Sequence, residues 1–336
     1  MRGKGITYDT GFINAGTISH ERFEPDVVER EMRIIHDDLH CTAVRITGGD
    51  PDRLEIAATL AAKAGLEVWF SPFTCDLTNE QMLALLADCA KRAERLRQQG
   101  ATVVFVTGGE LSLMNRGFLP GETLKERLDL MATPGRLREL MPAIPARIND
   151  FLGKAVAVVR ERFGGGVTYA SIHFERVDWT PFDFLSIDHY RSIEIADRYR
   201  DSVRTLVAQG KPVAITEFGS ATYRGAADKG ARGSEIIEWK GAVPTLRAGD
   251  YTRDESEQAT CLRELLETFE SEGVDTAFVF QFASYDLPHR ENHPEDLDMA
   301  SYGVVKVQED HFGVTYPDMA WEPKAAFKAV ADFYRG

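Results

Sequence analysis

Two apolar runs of this 336-residue chain each finish on a glutamate: ATVVFVTGGELS delivers Glu110 and KPVAITEFGS delivers Glu217. Side chains alternate across a strand, so Val213, Ile215 and Glu217 are expected to share one face, as are Val104, Val106, Gly108 and Glu110. A carboxyl group ending such a row projects from the strand end. One glutamate so placed can equally cap a helix or pair with an arginine. Two facing each other across a common mouth are what glycoside hydrolysis needs, with one acid to protonate the leaving oxygen and one carboxylate to attack or stabilise the sugar cation.

Other polar groups gather near expected strand ends. His173 and Glu175 in YASIHFE form a second cluster, expected to contact substrate or to pack rather than to react. Trp179 and Tyr285 lie close in sequence to strand ends and are the aromatics placed to stack on a sugar, whereas Trp69, Trp239 and Trp321 read as packing. Asp9, Asp188 and His189 are residue types that hold divalent ions, but their spacing is not specific. DLPHRENHPEDLD, with His289, His293, Asp296 and Asp298, lacks the HExxH or EF-hand pattern and reads as a solvated loop. No metal and no cofactor is expected. Cys41, Cys75, Cys89 and Cys261 form no C-x-x-C pair and read as isolated thiols.

The elements that must carry these residues alternate from one end of the chain to the other. Strand-like runs fall at 5–12, 42–47, 67–73, 102–107, 167–174, 184–190, 212–218 and 275–283. Helical patterns fall at 25–39, 51–64, 78–99, 145–163, 196–209, 254–272 and 323–334. Pro25, Pro51, Pro145 and Pro323 suit a first helical turn, where a missing N–H costs nothing; Gly65, Gly100, Gly210 and Gly273 suit the left-handed stop. Between the fifth and sixth strands, 175–181 has room for a single turn only. Eight alternations predict an α/β fold: a (β/α)8 TIM barrel formed by one domain, residues 1–336. Long segments follow strand four (108–144), strand seven (220–253) and strand eight (285–322). All leave the C-terminal face, where barrel enzymes build their sites, and are expected to wall a narrow pocket.

Composition excludes several other roles. A balance of 39 basic against 53 acidic residues gives a net charge of −14 and no basic stripe, which argues against nucleic acid as partner. No apolar run is long enough to span a bilayer, and the N-terminus moves straight into a strand pattern, so a cytoplasmic location is expected.

The chain resembles the large clan of retaining (β/α)8-barrel glycoside hydrolases. The best match is strand seven, PVAITEFG from Pro212 to Gly219. The resemblance implies that Glu110, after strand four, is the acid/base and that Glu217, after strand seven, is the nucleophile. It also places Arg45, in AVRITGG, and Tyr190 or the adjacent His189 beside that nucleophile. Two positions depart from the clan: Gly109 stands where an Asn usually binds the sugar 2-hydroxyl, and Phe280, Gln281 and Phe282 replace a tryptophan platform, which makes Gln281 a substrate contact. The implied ligand is a small glycoside or oligosaccharide. Two alternatives remain. The same carboxylates could transfer protons in small-molecule biosynthesis, and the chain also resembles bacterial proteins labelled abortive phage infection proteins, which leaves open a non-enzymatic carbohydrate-binding or defence role.

Overall fold

Eight parallel strands close on themselves in the computed structural model, which describes every residue except 242, 293 and 294. They are β1 (Gly3–Asp9), β2 (Ala43–Gly48), β3 (Glu67–Pro72), β4 (Val103–Gly109), β5 (Gly166–Ala170), β6 (Leu185–Asp188), β7 (Val213–Phe218) and β8 (Thr276–Val279). Hydrogen-bonded neighbours run β5-β4-β3-β2-β1-β8-β7-β6. A parallel bridge between Ser171 and Ile187 joins β5 to β6 and completes the barrel.

Seven helices cover it: α1 (Pro25–Asp37), α2 (Pro51–Lys63), α3 (Asn79–Gln98), α4 (Ile144–Arg160), α5 (Tyr199–Val207), α6 (Glu255–Glu272) and α7 (Ala325–Arg335). Their starts follow local chemistry. Asp50 accepts from the backbone N–H of Asp52 and Arg53 ahead of α2, and Thr78 and Gln81 form a reciprocal capping box on α3. The single turn after β5 is a 3-10 turn, His173–Glu175. One expected start is corrected. Pro323 does not open the last helix; it ends a short strand, Trp321–Pro323, paired with Val305–Val307, and the helix begins at Ala325.

The core has two layers. Val44, Ile46, Val68, Phe70, Val167 and Ile215 point outward and pack under the helices. Ala43, Trp69, Val104, Val106, Ala170, Ala214 and Phe278 fill the barrel interior. The Trp69 ring lies 5.0 Å from that of Phe184 and 4.9 Å from that of Phe278, so Trp69 plugs the barrel, as expected of a packing residue. Full burial of a valine or phenylalanine in these layers is worth ~1.5–3 kcal/mol. The segments after β7 and β8 share a further cluster that includes Tyr223, Ile236, Met299 and Tyr302, which docks both insertions on one side of the mouth.

The alternation expected for β7 does not hold. Val213 and Ile215 face the helices, and it is Ala214 that faces inward. The ladder then slips: Ile187 pairs with Ile215 but Asp188 pairs with Glu217, leaving Thr216 as the extra residue of a bulge. Glu217 reaches the interior because of that bulge. A similar slip between Val106 and Gly109 interrupts β4, where Gly108 has φ +129° and Glu110 itself adopts a left-handed φ of 45°. Val104 and Val106 face inward as read, but Glu110 is aimed by the turn rather than by strand alternation.

Candidate active site

Three carboxyl groups meet where β4, β6 and β7 leave the barrel. One oxygen from each of Glu110, Asp188 and Glu217 can be chosen so that all lie within 4.8 Å of one another. Glu110 and Asp188 border a cavity of about 450 Å³, with Tyr190 beside them at its floor and Glu194, Lys229 and Arg232 toward its rim.

Arg45 organises this floor. It sits on the inward face of β2, two residues beyond Ala43, and is fully buried. Its Nη1 donates to Glu217 Oε1 at 2.9 Å and to the Thr216 carbonyl at 3.1 Å, while Nε donates to Ser71 Oγ at 3.2 Å. The Tyr190 hydroxyl donates to the other Glu217 oxygen at 3.1 Å. Glu217 is thus held by one donor per oxygen, with an ion pair on one side.

Glu110 opens the short helix Leu111–Met114 and accepts no side-chain hydrogen bond. Burial, then Glu217, then Glu175 push its carboxyl up to about 8, against a smaller lowering by Arg45. A carboxylic acid that stays protonated near neutrality can donate a proton to a leaving group. The two glutamates therefore sit in different electrostatic settings a few ångströms apart.

Glu175 lies under this turn instead of in the cavity. It is fully buried and accepts from Ser112 N at 3.0 Å, Ser112 Oγ at 2.7 Å, Tyr169 OH at 2.8 Å and Ile172 N at 3.3 Å. Every donor is supplied by the protein, so Glu175 anchors the turn that carries Glu110. His189 is corrected for the same reason: it points outward from β6, is 2% exposed, stacks on Tyr199 and bonds to Ser202 Oγ at 2.8 Å. His173 leans on His189, Nε2 to Nδ1 at 2.8 Å, and burial lowers its pKa. Trp179 packs on Phe182 and the outer core. Tyr285 stacks on His20 at 3.6 Å and donates to Glu31 at 2.9 Å, next to Tyr8 and Trp321, which bond the same carboxylate. Gln281 donates to Ser284 Oγ at 3.1 Å. Of the expected substrate contacts, Arg45 and Tyr190 are the ones joined to the glutamates.

The metal candidates do not assemble as a set. Asp9 accepts from Gly11 N and Ser19 Oγ at the end of β1; Asp188 groups with Glu110 and Glu217, and His189 packs outward against Tyr199. Asp296 and Asp298 pair with Arg253, and His289 bonds Asp296, so the loop that carries them is bound up in ion pairs rather than solvated; His293 lies outside the described residues. The three carboxyl groups on the floor have a spacing compatible with a cation, but Arg45 already occupies Glu217.

Asp188 is the member that sequence reasoning valued too little. Ser186 and Asp188 share the inward face of β6, while Leu185 and Ile187 belong to the outer core. That alternation, S-x-D-x-Y ending on Tyr190, was the available signal. Gly109 also acquires a reason. A Cβ there would stand 2.8 Å from the Phe73 ring and 3.3 Å from Arg45 Nη2, so the room an Asn would use is filled by Phe73. Among the described residues the wall is lined by Ile172 after β5 and by segments after β6 and β7; the segment after β4 contributes Glu110, and the insertion after β8 contributes no lining residue.

No protein-family model matches the sequence, and no curated protein matches it. Solved structures do match in fold. A GH113 β-1,4-mannanase superposes with a TM-score of 0.62 at 17% identity, over 100% of both chains. Cel5A from Thermotoga maritima, solved with mannotriose, gives 0.54 at 14% identity over 89% of this chain and 96% of that one. A family 1 β-glucosidase from Thermotoga maritima gives 0.55 at 12% identity, over 98% and 96%. At such identities the likeness establishes the barrel and leaves the chemistry to the site.

Proposed function

We propose that this protein is a retaining glycoside hydrolase acting on a small glycoside or oligosaccharide, with Glu217 as nucleophile and Glu110 as acid/base. The observation that carries the reading is the pairing of unlike carboxyl groups. Glu217 is ion-paired to Arg45 and bonded by Tyr190, while Glu110, with an oxygen within 4.8 Å, has its pKa pushed up to about 8. Retaining enzymes hold the two carboxyl groups ~5–5.5 Å apart, whereas inverting ones leave ~6.5–9.5 Å for a water.

In the first step Glu217 attacks the anomeric carbon as Glu110 gives its proton to the departing oxygen. The bond to the leaving group breaks and an ester to Glu217 forms. In the second step Glu110, now a carboxylate, takes a proton from water, which attacks the same carbon and releases Glu217. Arg45 and Tyr190 fix the nucleophile's orientation and share its charge. The cavity's walls suit one or a few sugar rings, in keeping with neighbours in fold that were solved with tri- and disaccharides.

A panel of aryl glycosides in both anomeric series tests the proposal. Turnover of at least one, lost in Glu217→Gln, supports it. Full retention of turnover in both Glu217→Gln and Glu110→Gln would overturn it.

A further inference from the structure

The two-step mechanism employs two of the three carboxyl groups on the floor and leaves Asp188 without a task. Asp188 pairs in register with Glu217 across the β6–β7 ladder and lines the cavity, yet only 4% of it is exposed. Neither of its oxygens has a donor in good hydrogen-bond geometry among the described residues; the Thr216 hydroxyl on β7 is near enough to favour its charged form slightly but is itself poorly placed. Two other buried carboxyl groups are supplied: Glu31 receives three side-chain donors and Glu175 four hydrogen bonds. A buried carboxyl group without a donor is costly, so a donor supplied by the ligand would gain most at this point.

The charge balance indicates what kind of donor. The floor holds three carboxyl groups against one guanidinium, and the Nη1 of Arg45 is committed to Glu217. At the rim, Arg232 is committed to Glu194 at 2.5 Å. Lys229 borders the cavity from the exposed turn after β7. Carboxyl groups this close cannot all ionise without a compensating cation. Glu110 and Asp188 meet that limit by holding their protons; a neutral hydroxyl leaves Asp188 protonated, whereas an ammonium lets it ionise and brings three donors. Because the oxygen of Asp188 lies within 4.8 Å of those of both glutamates, the group that meets it belongs next to the bond being broken.

We propose that the substrate carries a protonated amine on the ring carbon beside the anomeric centre, a 2-amino-2-deoxy glycoside, and that Asp188 is the specificity-determining carboxylate that receives it. This rests on the glycoside hydrolase reading and names its substrate class. Burial and Glu217 hold the Asp188 carboxyl well above the usual range; an ammonium stabilises its charged form.

The test compares p-nitrophenyl 2-amino-2-deoxy glycosides of the gluco and manno series, both anomers, with their 2-hydroxy and 2-acetamido counterparts. One amino glycoside is expected to exceed both counterparts by about 100-fold in kcat/KM, because the buried carboxyl is otherwise left without a good donor. Asp188→Asn should collapse that ratio toward one. Equal or better turnover of a neutral glycoside by the unaltered protein overturns the substrate class while leaving the hydrolase reading standing, and needs no variant to fold. A ratio that survives Asp188→Asn removes Asp188 from the role. If no glycoside is hydrolysed, calorimetric titration with glucosamine and mannosamine decides. Binding of either that is lost in Asp188→Asn sustains the amine site although the hydrolase reading has failed, and no binding of either overturns both. Stoichiometric binding of Mn²⁺ or Ca²⁺, also lost in that variant, would assign the cluster to a metal ion and overturn the amine site.

Discussion

Replacing Glu110 by Gln removes a group that the fold holds in its protonated form, and the consequence for stability can be worked out. The carboxyl moves from an ordinary 4.5 to about 8, through burial, Glu217 and Glu175. Between those two pH values the native state keeps a proton that the unfolded chain has lost. Stability from this group is therefore complete below the unfolded pKa and is lost as pH rises through the folded one. At about 1.4 kcal/mol per pH unit the ceiling is ~5 kcal/mol. Glu110 is partly exposed at the cavity floor, so solvent screening brings the expectation to about half of that, ~2–3 kcal/mol. Glu110→Gln cannot titrate, so its stability relative to the unaltered protein should rise by ~2–3 kcal/mol between pH 5 and pH 8. Urea unfolding followed by circular dichroism at pH 5, 6.5 and 8 measures this difference directly. A difference that stays flat within ~0.5 kcal/mol, or that falls with pH, would refute the claim that the fold keeps Glu110 protonated, and with it the basis for its role as acid.

Three further outcomes follow from the same geometry. Arg45→Met leaves Glu217 with its charge partner removed in a buried setting and should cost ~3–5 kcal/mol in unfolding experiments, with kcat reduced by about 100-fold or more. Glu175→Gln turns an amide N–H₂ toward groups that already donate and removes a charge that raises Glu110; it should cost ~1–3 kcal/mol and move the basic limb of the pH–rate profile to lower pH, whereas an unmoved limb would show that Glu175 acts on the fold alone. Gly109→Asn should destabilise by ~1–3 kcal/mol because its Cβ would meet the Phe73 ring at 2.8 Å, and Phe73→Ala in the same chain should recover part of that loss; no recovery would mean that the obstruction lies elsewhere.

The barrel was legible because its signals are local and repeated: prolines at helix starts, glycines at their stops, and apolar runs between them placed all eight strands within a few residues. Glu110 and Glu217 were legible as strand-terminal residues, but the geometry that aims them was not. Alternation read from Val213 and Ile215 assigns those residues to the wrong face, since a bulge is a relation between neighbouring strands and leaves no mark on either alone. Arg45 followed from its match in position, and it lies buried on the inward face of β2. Glu175 and His189 were misjudged because their residue types suit a site equally well as a framework, and burial decides between the two. Tyr285 shows the same ambiguity: it lies near a strand end in sequence, yet its hydroxyl goes to Glu31. Asp188 was visible in the alternation of β6 and was undervalued because a lone aspartate has no motif.

The central claim, that Glu217 becomes covalently bonded to the sugar, is tested most directly in the Glu110→Gln protein with a dinitrophenyl glycoside of the substrate found in the aryl panel. That leaving group departs without protonation, while hydrolysis of the ester needs the missing base, so the intermediate should accumulate. Mass spectrometry of the acid-quenched, digested protein should then locate one glycosyl group on the peptide containing Glu217. A glycosyl group on Asp188 or on any other residue, or turnover with inverted configuration and no adduct, would contradict the account.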